Sequence, residues 1–446
     1  MSAAASLPGG VRAMAEAAKR ASRVLAGLDE GKRNAALEAM AQALEAASAE
    51  LLAANLEDVR AEGERLSPAT LARLKLDDAK LAEMAEQVRS VGRLADPLGR
   101  VLDAMELDEG LGLTKISVPL GVLAVIFEAR PDAVTQIAAL AIKSGNAVLL
   151  KAGREVEGTA GVLVRVLREA LECQGLPADA VSLVVGRERV QELLGMHGLV
   201  DLVIPRGSKE LVEYVQANTR IPVLGHAEGV CHIYVDESAD EAVALRVIED
   251  AKTDYPAACN AVETVLVHRA IAAEFLPKLA ERLRAKGVRL HGDATVRELL
   301  RGVEVEAVGE WRTEYGELAV SLGVVAGVEE AMEHIHAHGS AHTESIIAGD
   351  TETAERFLRE VDAASVMHNA STRFADGFRY GFGAEVGIST SKLHARGPVG
   401  LEGLTTYKYV LRGHGQVAGD YRVAKETGEA ARAFTHRVSK GQGEAR

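Results

Sequence analysis

The stretch Val122-Leu-Ala-Val-Ile-Phe127 is a continuous apolar run, and Ala147-Val-Leu-Leu-Lys151 repeats this pattern. A helical pattern at about residues 133–144 separates the two runs, and Gly145 follows it, as expected for a helix C-terminal cap. Continuous apolar strands that alternate with helices are typical of parallel sheets buried on both faces. The stretch therefore predicts a βαβ unit of an α/β fold.

Two domains of this α/β type account for most of the chain. The first series of strands and helices extends to about residue 204 and includes a helix at 157–173, followed by Gly175. A second series runs from about residue 232 to residue 369. The further predicted strands lie at residues 181–185, 199–204, 261–267, 318–325, 345–348 and 364–367. The pattern predicts two doubly wound parallel-sheet domains.

Three other regions have different patterns. Residues 11–93 have apolar residues every three or four positions, which predicts helices. Residues 101–118 consist of short extended pieces separated by Asp108, Gly110 and Gly112, which predicts a projecting hairpin. Residues 405–411 return to a strand pattern. We therefore expect N-terminal helices and a small β element in addition to the two domains.

The charge balance favours a small-molecule enzyme. The chain has 65 acidic and 51 basic residues, and its net charge of −14 disfavours an extended surface for nucleic acid or acidic membranes. No apolar run reaches the roughly 18 uncharged residues that a membrane-spanning helix needs. Residues 1–18 lack the basic region and apolar core of a secretion signal. We expect a cytoplasmic enzyme without nucleic-acid or membrane partners.

The cysteines provide one candidate nucleophile. Cys259 lies in Asp254-Tyr-Pro-Ala-Ala-Cys259-Asn-Ala-Val-Glu-Thr264, where small neighbours leave a thiol accessible. On these residues alone, a buried packing cysteine remains the alternative. Cys173 and Cys231 adjoin a predicted helix and a predicted strand and are interpreted as structural. Three cysteines without C-x-x-C spacing argue against a disulfide framework and a zinc knuckle.

Four histidines, His334, His336, His338 and His342, suggest a metal site, but their spacing does not support one. Residues at i and i+2 do not share a helical face. His334 could pair with His338, and His338 with His342, yet no cysteine or closely spaced carboxylate set completes a coordination shell. The pattern predicts a surface helix that runs into a turn at Gly339, and no metal is expected.

Three separated motifs carry a family resemblance: the Cys259 motif, Glu128-Ala-Arg-Pro131, and His394-Ala-Arg-Gly-Pro-Val-Gly-Leu-Glu-Gly403. Nearly end to end, the chain closely resembles the gamma-glutamyl phosphate reductases, a branch of the aldehyde dehydrogenase superfamily. The resemblance implies NADPH-dependent reduction of L-glutamate 5-phosphate to L-glutamate 5-semialdehyde and phosphate, in proline biosynthesis. The thiolate of Cys259 would attack the acyl phosphate and form a thioester, which hydride transfer would reduce.

The chain departs from aldehyde-oxidising relatives at two catalytic positions. Their water-activating glutamate corresponds to Gly225 when residues are counted back from the strand after Leu224-Gly-His-Ala-Glu-Gly229, so we expect no such base. The alternative is Glu228. Their oxyanion-hole asparagine is also missing, and the backbone N–H of Cys259 and the side chain of Asn260 are the remaining candidate donors.

The sequence has no G-x-G-x-x-G motif after a strand, so the usual dinucleotide-binding fingerprint is missing. The candidate cofactor residues are therefore those that the resemblance implies. Gly207 and Ser208 match the superfamily pair that opens a helix at the pyrophosphate. Lys151 matches the lysine at the adenine ribose, and Arg154, three residues on, favours the 2′-phosphate of NADP(H). Glu314 occupies the place of the glutamate that holds the nicotinamide ribose. Without the resemblance, Gly207-Ser208 would be a helix cap and Glu314 a surface charge.

Three arginines are candidates for the anionic substrate. Arg130 could hold the leaving phosphate, or form an ion pair with Glu128 or Asp132. Arg373 and Arg396 lie in segments expected at the substrate pocket, and each could equally serve a structural ion pair.

The resemblance also implies domain roles and partners. Residues 1–100 and 119–228 would form an NADP-binding domain, residues 229–398 the catalytic domain, and residues 101–118 and 399–446 an oligomerisation element. A homodimer or homotetramer is expected, with a transient contact with the glutamate kinase that makes the acyl phosphate. A coenzyme A-dependent acylating aldehyde dehydrogenase and a catalytically idle regulator of glutamate kinase remain the alternatives.

Overall fold

The computed structural model describes residues 10–226, 228–423 and 432–438. The chain divides into two compact units. The first contains Met1–Ile204, Asn218–Val223 and Gly400–Arg446, and the second contains Pro205–Ala217 and Leu224–Val399. Residues 424–431 and 439–446 of the predicted C-terminal tail lie outside the described residues.

Helices and strands alternate along most of the chain, as the sequence predicts. In chain order the elements are α1 (Val11–Leu25), α2 (Glu30–Ala46), α3 (Ser48–Glu62), α4 (Pro68–Leu74), α5 (Asp78–Arg93), β1 (Val101–Asp108), β2 (Leu111–Pro119), β3 (Val122–Phe127), α6 (Pro131–Lys143), β4 (Ala147–Ala152), α7 (Glu157–Cys173), β5 (Val181–Leu183), α8 (Arg189–Leu194), β6 (Leu202–Arg206), α9 (Lys209–Ala217), β7 (Cys231–Val235), α10 (Glu241–Thr253), β8 (Val262–His268), α11 (Arg269–Ala285), β9 (Arg289–Gly292), α12 (Ala294–Leu299), β10 (Glu306–Ala307), β11 (Ala319–Val325), α13 (Val328–His338), β12 (Thr343–Ile347), α14 (Thr351–Glu360), β13 (Ser365–His368), β14 (Ile388–Ser389), β15 (Gly397–Pro398), β16 (Thr405–Arg412) and β17 (Arg437–Val438).

A four-stranded sheet of order β5-β4-β3-β6 lies in the core of the first unit. Strands β3 and β4 pair in parallel with Val122 opposite Ala147, and every residue of both strands is buried. Burial on both faces explains why these strands read as continuous apolar runs. Gly145 and Gly175 have φ of 72° and 69°, so both adopt the left-handed conformation of a helix cap.

The predicted hairpin and tail strand form one antiparallel sheet of order β16-β2-β1-β17. Strand β16 pairs with β2 along its whole length, from Thr405 opposite Pro119 to Arg412 opposite Gly112. The sheet groups with the first unit, whereas α9 groups with the second. The unit division therefore differs from the predicted domain boundaries at these two places. The unit to which an element belongs depends on its tertiary contacts, and the apolar pattern of a strand in the sequence does not predict these contacts.

The second unit is built on a seven-stranded parallel sheet of order β10-β9-β11-β8-β7-β12-β13. Every pairing in this sheet is parallel. Helices α10, α11 and α12 pack on one apolar cluster with β7 and β8, and helices α13 and α14 pack on another. The α/β fold class with parallel sheets is confirmed. No helix in the described ranges combines the length and the apolar character that crossing a membrane requires.

Candidate active site

Cys259 lies in a turn between two regular elements of the second unit. Helix α10 ends at Thr253 and strand β8 begins at Val262. Within the turn, Ala258 N donates to Tyr255 O at 3.1 Å. Cys259 is partly exposed, in contrast to the fully buried Cys231.

A second segment passes directly against the Cys259 backbone at Gly229. A Cβ atom on Gly229 would lie 2.6 Å from both Cα and Cβ of Cys259, which is closer than any side chain tolerates. Only glycine permits such an approach of two backbones. Gly229 therefore sets the spacing between the Cys259 turn and the segment before β7.

Two histidines lie beside the Cys259 thiol. One ring nitrogen of His226, one of His342 and the sulfur of Cys259 lie within 4.8 Å of one another. The two rings meet edge to face with their centroids 4.8 Å apart. His226 Nδ1 lies 2.9 Å from the carbonyl oxygen of Ile388, and His342 Nδ1 lies 2.9 Å from Thr343 Oγ1. The surroundings of the thiol therefore include two oriented imidazoles.

The count that places Gly225 at the position of the water-activating glutamate stays a prediction. In the structure His226 lies beside the thiol, whereas a Cβ atom added at Gly225 would meet atoms of Pro205. The described residues between 224 and 230 have no regular structure, so residues cannot be counted back from β7 at a fixed rise. The segment presents the imidazole of His226 to the thiol.

Glu228, the alternative base, is held between two cations. It accepts hydrogen bonds from Lys209 Nζ and, at 2.9 Å, from Arg312 Nε. Partial burial opposes its ionisation, but the two cations outweigh this effect and lower the pKa of Glu228. A carboxylate that is stabilised in its charged form is a weak proton acceptor. Glu228 is therefore poorly suited to activate water.

The other two cysteines differ from Cys259 in their surroundings. Cys231 is fully buried, its Sγ donates to the carbonyl oxygen of Cys259 at 3.2 Å, and burial raises the pKa of its thiol. This agrees with its interpretation as a structural residue. Cys173 ends α7 and is exposed, so it does not pack in the core as a structural cysteine would.

Arg373 braces the Cys259 turn on both sides. Its Nε donates to Asp254 Oδ2 at 3.1 Å, and its NH1 donates to Asn260 Oδ1. Arg379 also donates to Asp254, and the bonds from Arg379 and Arg373 lower the pKa of that carboxyl. The structure thus shows the ion-pair alternative for Arg373. Its side chain is 9% exposed, so little of the guanidinium is open to a ligand.

Asn260 and Arg396 are each engaged in contacts of their own. Asn260 is buried, and its Nδ2 donates to Ala375 O at 2.9 Å, which leaves one amide hydrogen for an oxyanion. Arg396 pairs with Asp362 at 2.7 Å, while its Nε is buried without a partner in the described part of the chain. Hydrogen bonds from Lys392 and, with a smaller effect, from Arg396 lower the pKa of Asp362 to about 2.

Three predicted residues lie in the first unit. Arg130 is the N-cap residue of α6 and is partly buried. Lys151, near the end of β4, is 5% exposed, and burial lowers the pKa of its ammonium group. Arg154 Nε lies 3.1 Å from Glu62, but 78% of the arginine side chain is exposed. Arg154 therefore has room to contact an anion.

The other cofactor candidates lie in the second unit. Gly207 and Ser208 are exposed just before α9, and Ser208 Oγ accepts from Leu211 N at 3.4 Å. Glu314 is exposed in a loop whose Gly316 N donates to the buried Glu263 at 3.3 Å. The geometry is that of a helix N-terminus and an anchored loop, and the cofactor roles stay predictions.

Helix α13 ends before Gly339 as predicted, but its histidines do not lie on a plain surface helix. His334 meets the Trp311 ring edge to face at 4.7 Å and contacts His232 and His338. Burial, with smaller contributions from His232 and His338, lowers the pKa of His334 to about 3. His342 lies beyond the helix beside Cys259, so the histidine run divides between two environments.

Comparison with known proteins defines the class. The model of the aldehyde dehydrogenase family matches residues 3–296. An acetylating aldehyde dehydrogenase from Geobacillus thermoglucosidasius shares the fold, with a TM-score of 0.64 at 19% identity over 91% of this chain and 97% of that one. The chain is thus an oxidoreductase of the aldehyde dehydrogenase family.

Closer relatives narrow the assignment. The chain is 56% identical to a gamma-glutamyl phosphate reductase of Cyanothece sp., over 95% of this chain and 97% of the relative, and 50% identical to one of Natronomonas pharaonis, over 96% and 98%. The crystal structure of the Thermotoga maritima gamma-glutamyl phosphate reductase superposes with a TM-score of 0.89 at 41% identity, covering 91% of this chain and 99% of that one. The chain belongs to the gamma-glutamyl phosphate reductase family, as its motifs predicted.

Proposed function

We propose that this protein reduces L-glutamate 5-phosphate to L-glutamate 5-semialdehyde and phosphate with NADPH, the second step of proline biosynthesis from glutamate. The observation that carries the proposal is a partly exposed Cys259 in a turn held by Arg373, while the carboxylate of Glu228 is bound by Lys209 and Arg312. The names of the relatives support the same reaction.

The proposed chemistry begins at Cys259. Its thiolate attacks the acyl carbon, a C–S bond forms, and the C–O bond to phosphate breaks with release of inorganic phosphate. The backbone N–H of Cys259 and the remaining amide hydrogen of Asn260 would donate to the developing oxyanion. NADPH supplies the hydride that reduces the thioester. The resulting thiohemiacetal on Cys259 then gives the aldehyde and frees the thiol.

The binding of Glu228 by two cations suits a reductase. A positioned general base accelerates hydrolysis by about 100-fold to 10,000-fold. Glu228 is held by Lys209 and Arg312, and its lowered pKa makes it a poor acceptor of a water proton. The thioester on Cys259 would therefore persist until hydride transfer.

The residues present fit a phosphorylated nicotinamide cofactor. Lys151 and the exposed Arg154 offer two cations, and an exposed pair such as Arg154 with Glu62 is worth only about 0–1 kcal/mol, so a 2′-phosphate can displace Glu62. Gly207 and Ser208 at the start of α9 would donate backbone N–H groups to the pyrophosphate. Glu314 would accept from the nicotinamide ribose hydroxyls.

The proposal extends to substrate contacts and assembly. Arg130 and Arg396 would bind the anionic groups of the substrate, and Arg373 would contribute mainly by holding the turn. The exposed Tyr407, Tyr409 and other side chains of the edge strand β16 support assembly into a homodimer or homotetramer. A cytoplasmic location and a transient contact with glutamate kinase complete the proposal.

Steady-state assays in the reverse direction test the role of the thiol. Purified protein with L-glutamate 5-semialdehyde, NADP⁺ and phosphate should form NADPH. The Cys259→Ala variant should lose at least about 1,000-fold in kcat, because no nucleophile remains. The matched control Cys173→Ala removes an exposed thiol and should keep full activity. Comparable activity of Cys259→Ala and the wild type would overturn the proposal.

A further inference from the structure

We propose that His226, Cys259 and His342 form a binding site for Zn²⁺, and that the bound ion withdraws the Cys259 thiol from reaction. The binding itself is independent of the proposed function. Its inhibitory consequence rests on that function, because it requires Cys259 to be the nucleophile.

The donor set matches a soft divalent cation. One thiolate and two imidazoles are ligands that Zn²⁺ prefers, and three protein ligands with an open fourth position are typical of an accessible zinc site. The donor atoms lie within 4.8 Å of one another. In a tetrahedral site with standard bond lengths they would lie about 3.3–3.8 Å apart. Side-chain rotations that move the donors by about 1 Å would therefore close the shell.

The hydrogen bond of His226 to Ile388 leaves Nε2 free to bind a metal. Its Nδ1 lies 2.9 Å from the carbonyl oxygen of Ile388, which can only accept. Nδ1 of the neutral ring must therefore carry the hydrogen, and Nε2 keeps its lone pair. A ligating histidine that donates its other ring N–H to a backbone carbonyl is the usual arrangement around protein metals.

His342 supplies an independent indication of a missing partner. Only 1% of the residue is exposed, and its Nε2 is buried without a hydrogen-bond partner in the described part of the chain. Its Nδ1 lies 2.9 Å from Thr343 Oγ1, which can accept the Nδ1 hydrogen and leave Nε2 as the acceptor. A buried nitrogen without a hydrogen-bond partner is destabilising. A metal ion on Nε2 would remove this cost.

Cys231 does not compete with Cys259 for the metal. Its Sγ lies 3.8 Å from His342 Nδ1, but it donates to the carbonyl oxygen of Cys259 and is fully buried. The partly exposed Cys259 is therefore the sulfur ligand.

Metal binding displaces a proton from the thiol. When the S–Zn bond forms, the S–H bond of Cys259 breaks, its proton leaves to solvent, and the thiolate donates an electron pair to Zn²⁺. No oxidant or reductant takes part. The bound sulfur can no longer attack a carbonyl carbon.

Cobalt titration of the full chain tests the site. After chelator treatment, Co²⁺ should produce a near-ultraviolet thiolate-to-cobalt band that saturates at one ion per chain and disappears when Zn²⁺ is added. Cys259→Ser should abolish the band, and His226→Ala should weaken Co²⁺ binding at least about tenfold. Cys173→Ser and His197→Ala, which change exposed residues, should leave both band and affinity unchanged.

A second readout requires no substrate. Zn²⁺ should slow iodoacetamide alkylation of Cys259 at least about tenfold in the wild type and much less in His226→Ala, as mapped by peptide mass spectrometry. His226 is only partly buried, so the test does not depend on replacing the buried His342. An absent band, a band undiminished in Cys259→Ser, or unchanged alkylation would overturn the site. An inactive enzyme with an intact band would overturn only the proposed function.

Discussion

Cys259 has three neighbours in the structure that come from distant parts of the sequence. Gly229 allows the segment before β7 to touch the cysteine backbone, and His226 and His342 place imidazoles beside the sulfur. The sequence predicted Cys259 because small neighbours surround it. It did not predict His226 or His342, because they are far from Cys259 along the chain and become neighbours only when strands β7, β8 and β12 pair. Within the sequence, the only indication of His226 was its position next to Gly225, the residue predicted to stand at the place of the water-activating glutamate.

Replacing Gly229 with alanine should impair catalysis through backbone contact alone. The added Cβ would lie 2.6 Å from Cα and Cβ of Cys259, so the turn must shift. We expect kcat to fall at least about tenfold and the free energy of unfolding to fall by about 1–3 kcal/mol. Turnover assays and urea unfolding measure the two effects. Gly309→Ala, where a Cβ meets nothing within 4 Å, is the matched control. Equal kcat in the two variants would contradict this expectation.

Arg373→Met should separate a positioning role from substrate binding. The change removes the bonds to Asp254 and Asn260 that brace the turn. We expect kcat to fall about 10-fold to 100-fold with little change in KM, because positioning acts on the reacting atoms. Arg373→Lys should recover part of kcat. A selective rise in KM would instead show that Arg373 binds substrate.

At the scale of elements, the sequence predicted the buried strands best. The bounds predicted for β3 and α7 equal those observed, because each has a strong apolar pattern with clear ends. The apolar pattern does not mark where one unit ends, since α9 follows β6 directly and yet groups with the second unit. The loop that carries Glu314 has no periodicity, and its anchor is a buried ion pair between Lys252 and Glu263 at 2.6 Å.

Lys252→Met should destabilise the second unit. The pair with Glu263 is fully buried, and burial raises the pKa of Glu263 to about 7 against the opposing effect of Lys252. Removing Lys252 leaves a buried carboxyl without its cation, which costs about 3–5 kcal/mol. The variant Lys252→Met with Glu263→Leu should recover most of this loss. Urea unfolding at pH 8 measures the free energy of unfolding of the single and the double variant. If the single variant loses less than about 1 kcal/mol, the buried ion pair does not stabilise the second unit as expected.

At the scale of the whole molecule, acid stability should depend on the neutral His334. Its pKa is lowered from 6.5 to about 3, mainly by burial, so the unfolded chain binds a proton below pH 6.5 that the folded chain does not. The associated stability is fully present above pH 6.5 and is lost progressively as the pH falls towards 3. His334 packs on Trp311, the single tryptophan, which reports unfolding by fluorescence.

His334→Gln removes this titration. Between pH 7 and pH 5, the wild type should lose about 1 kcal/mol more unfolding free energy than the variant, after allowance for the exposed part of the ring. Urea unfolding followed by Trp311 fluorescence at the two pH values provides the comparison. His336→Gln is the exposed control on the same helix and should behave like the wild type. An identical pH dependence in His334→Gln and the wild type would exclude His334 as the cause.

The phosphate dependence of the reverse reaction tests the central claim most directly. NADPH formation from L-glutamate 5-semialdehyde and NADP⁺ should require inorganic phosphate, because phosphate must take the acyl group from Cys259 while Glu228 remains bound by Lys209 and Arg312. Coenzyme A should not replace phosphate. Sustained turnover with neither acceptor would mean that water reaches the thioester, and turnover that needs coenzyme A would make the protein an acylating aldehyde dehydrogenase. Either result would contradict the proposed reduction of an acyl phosphate.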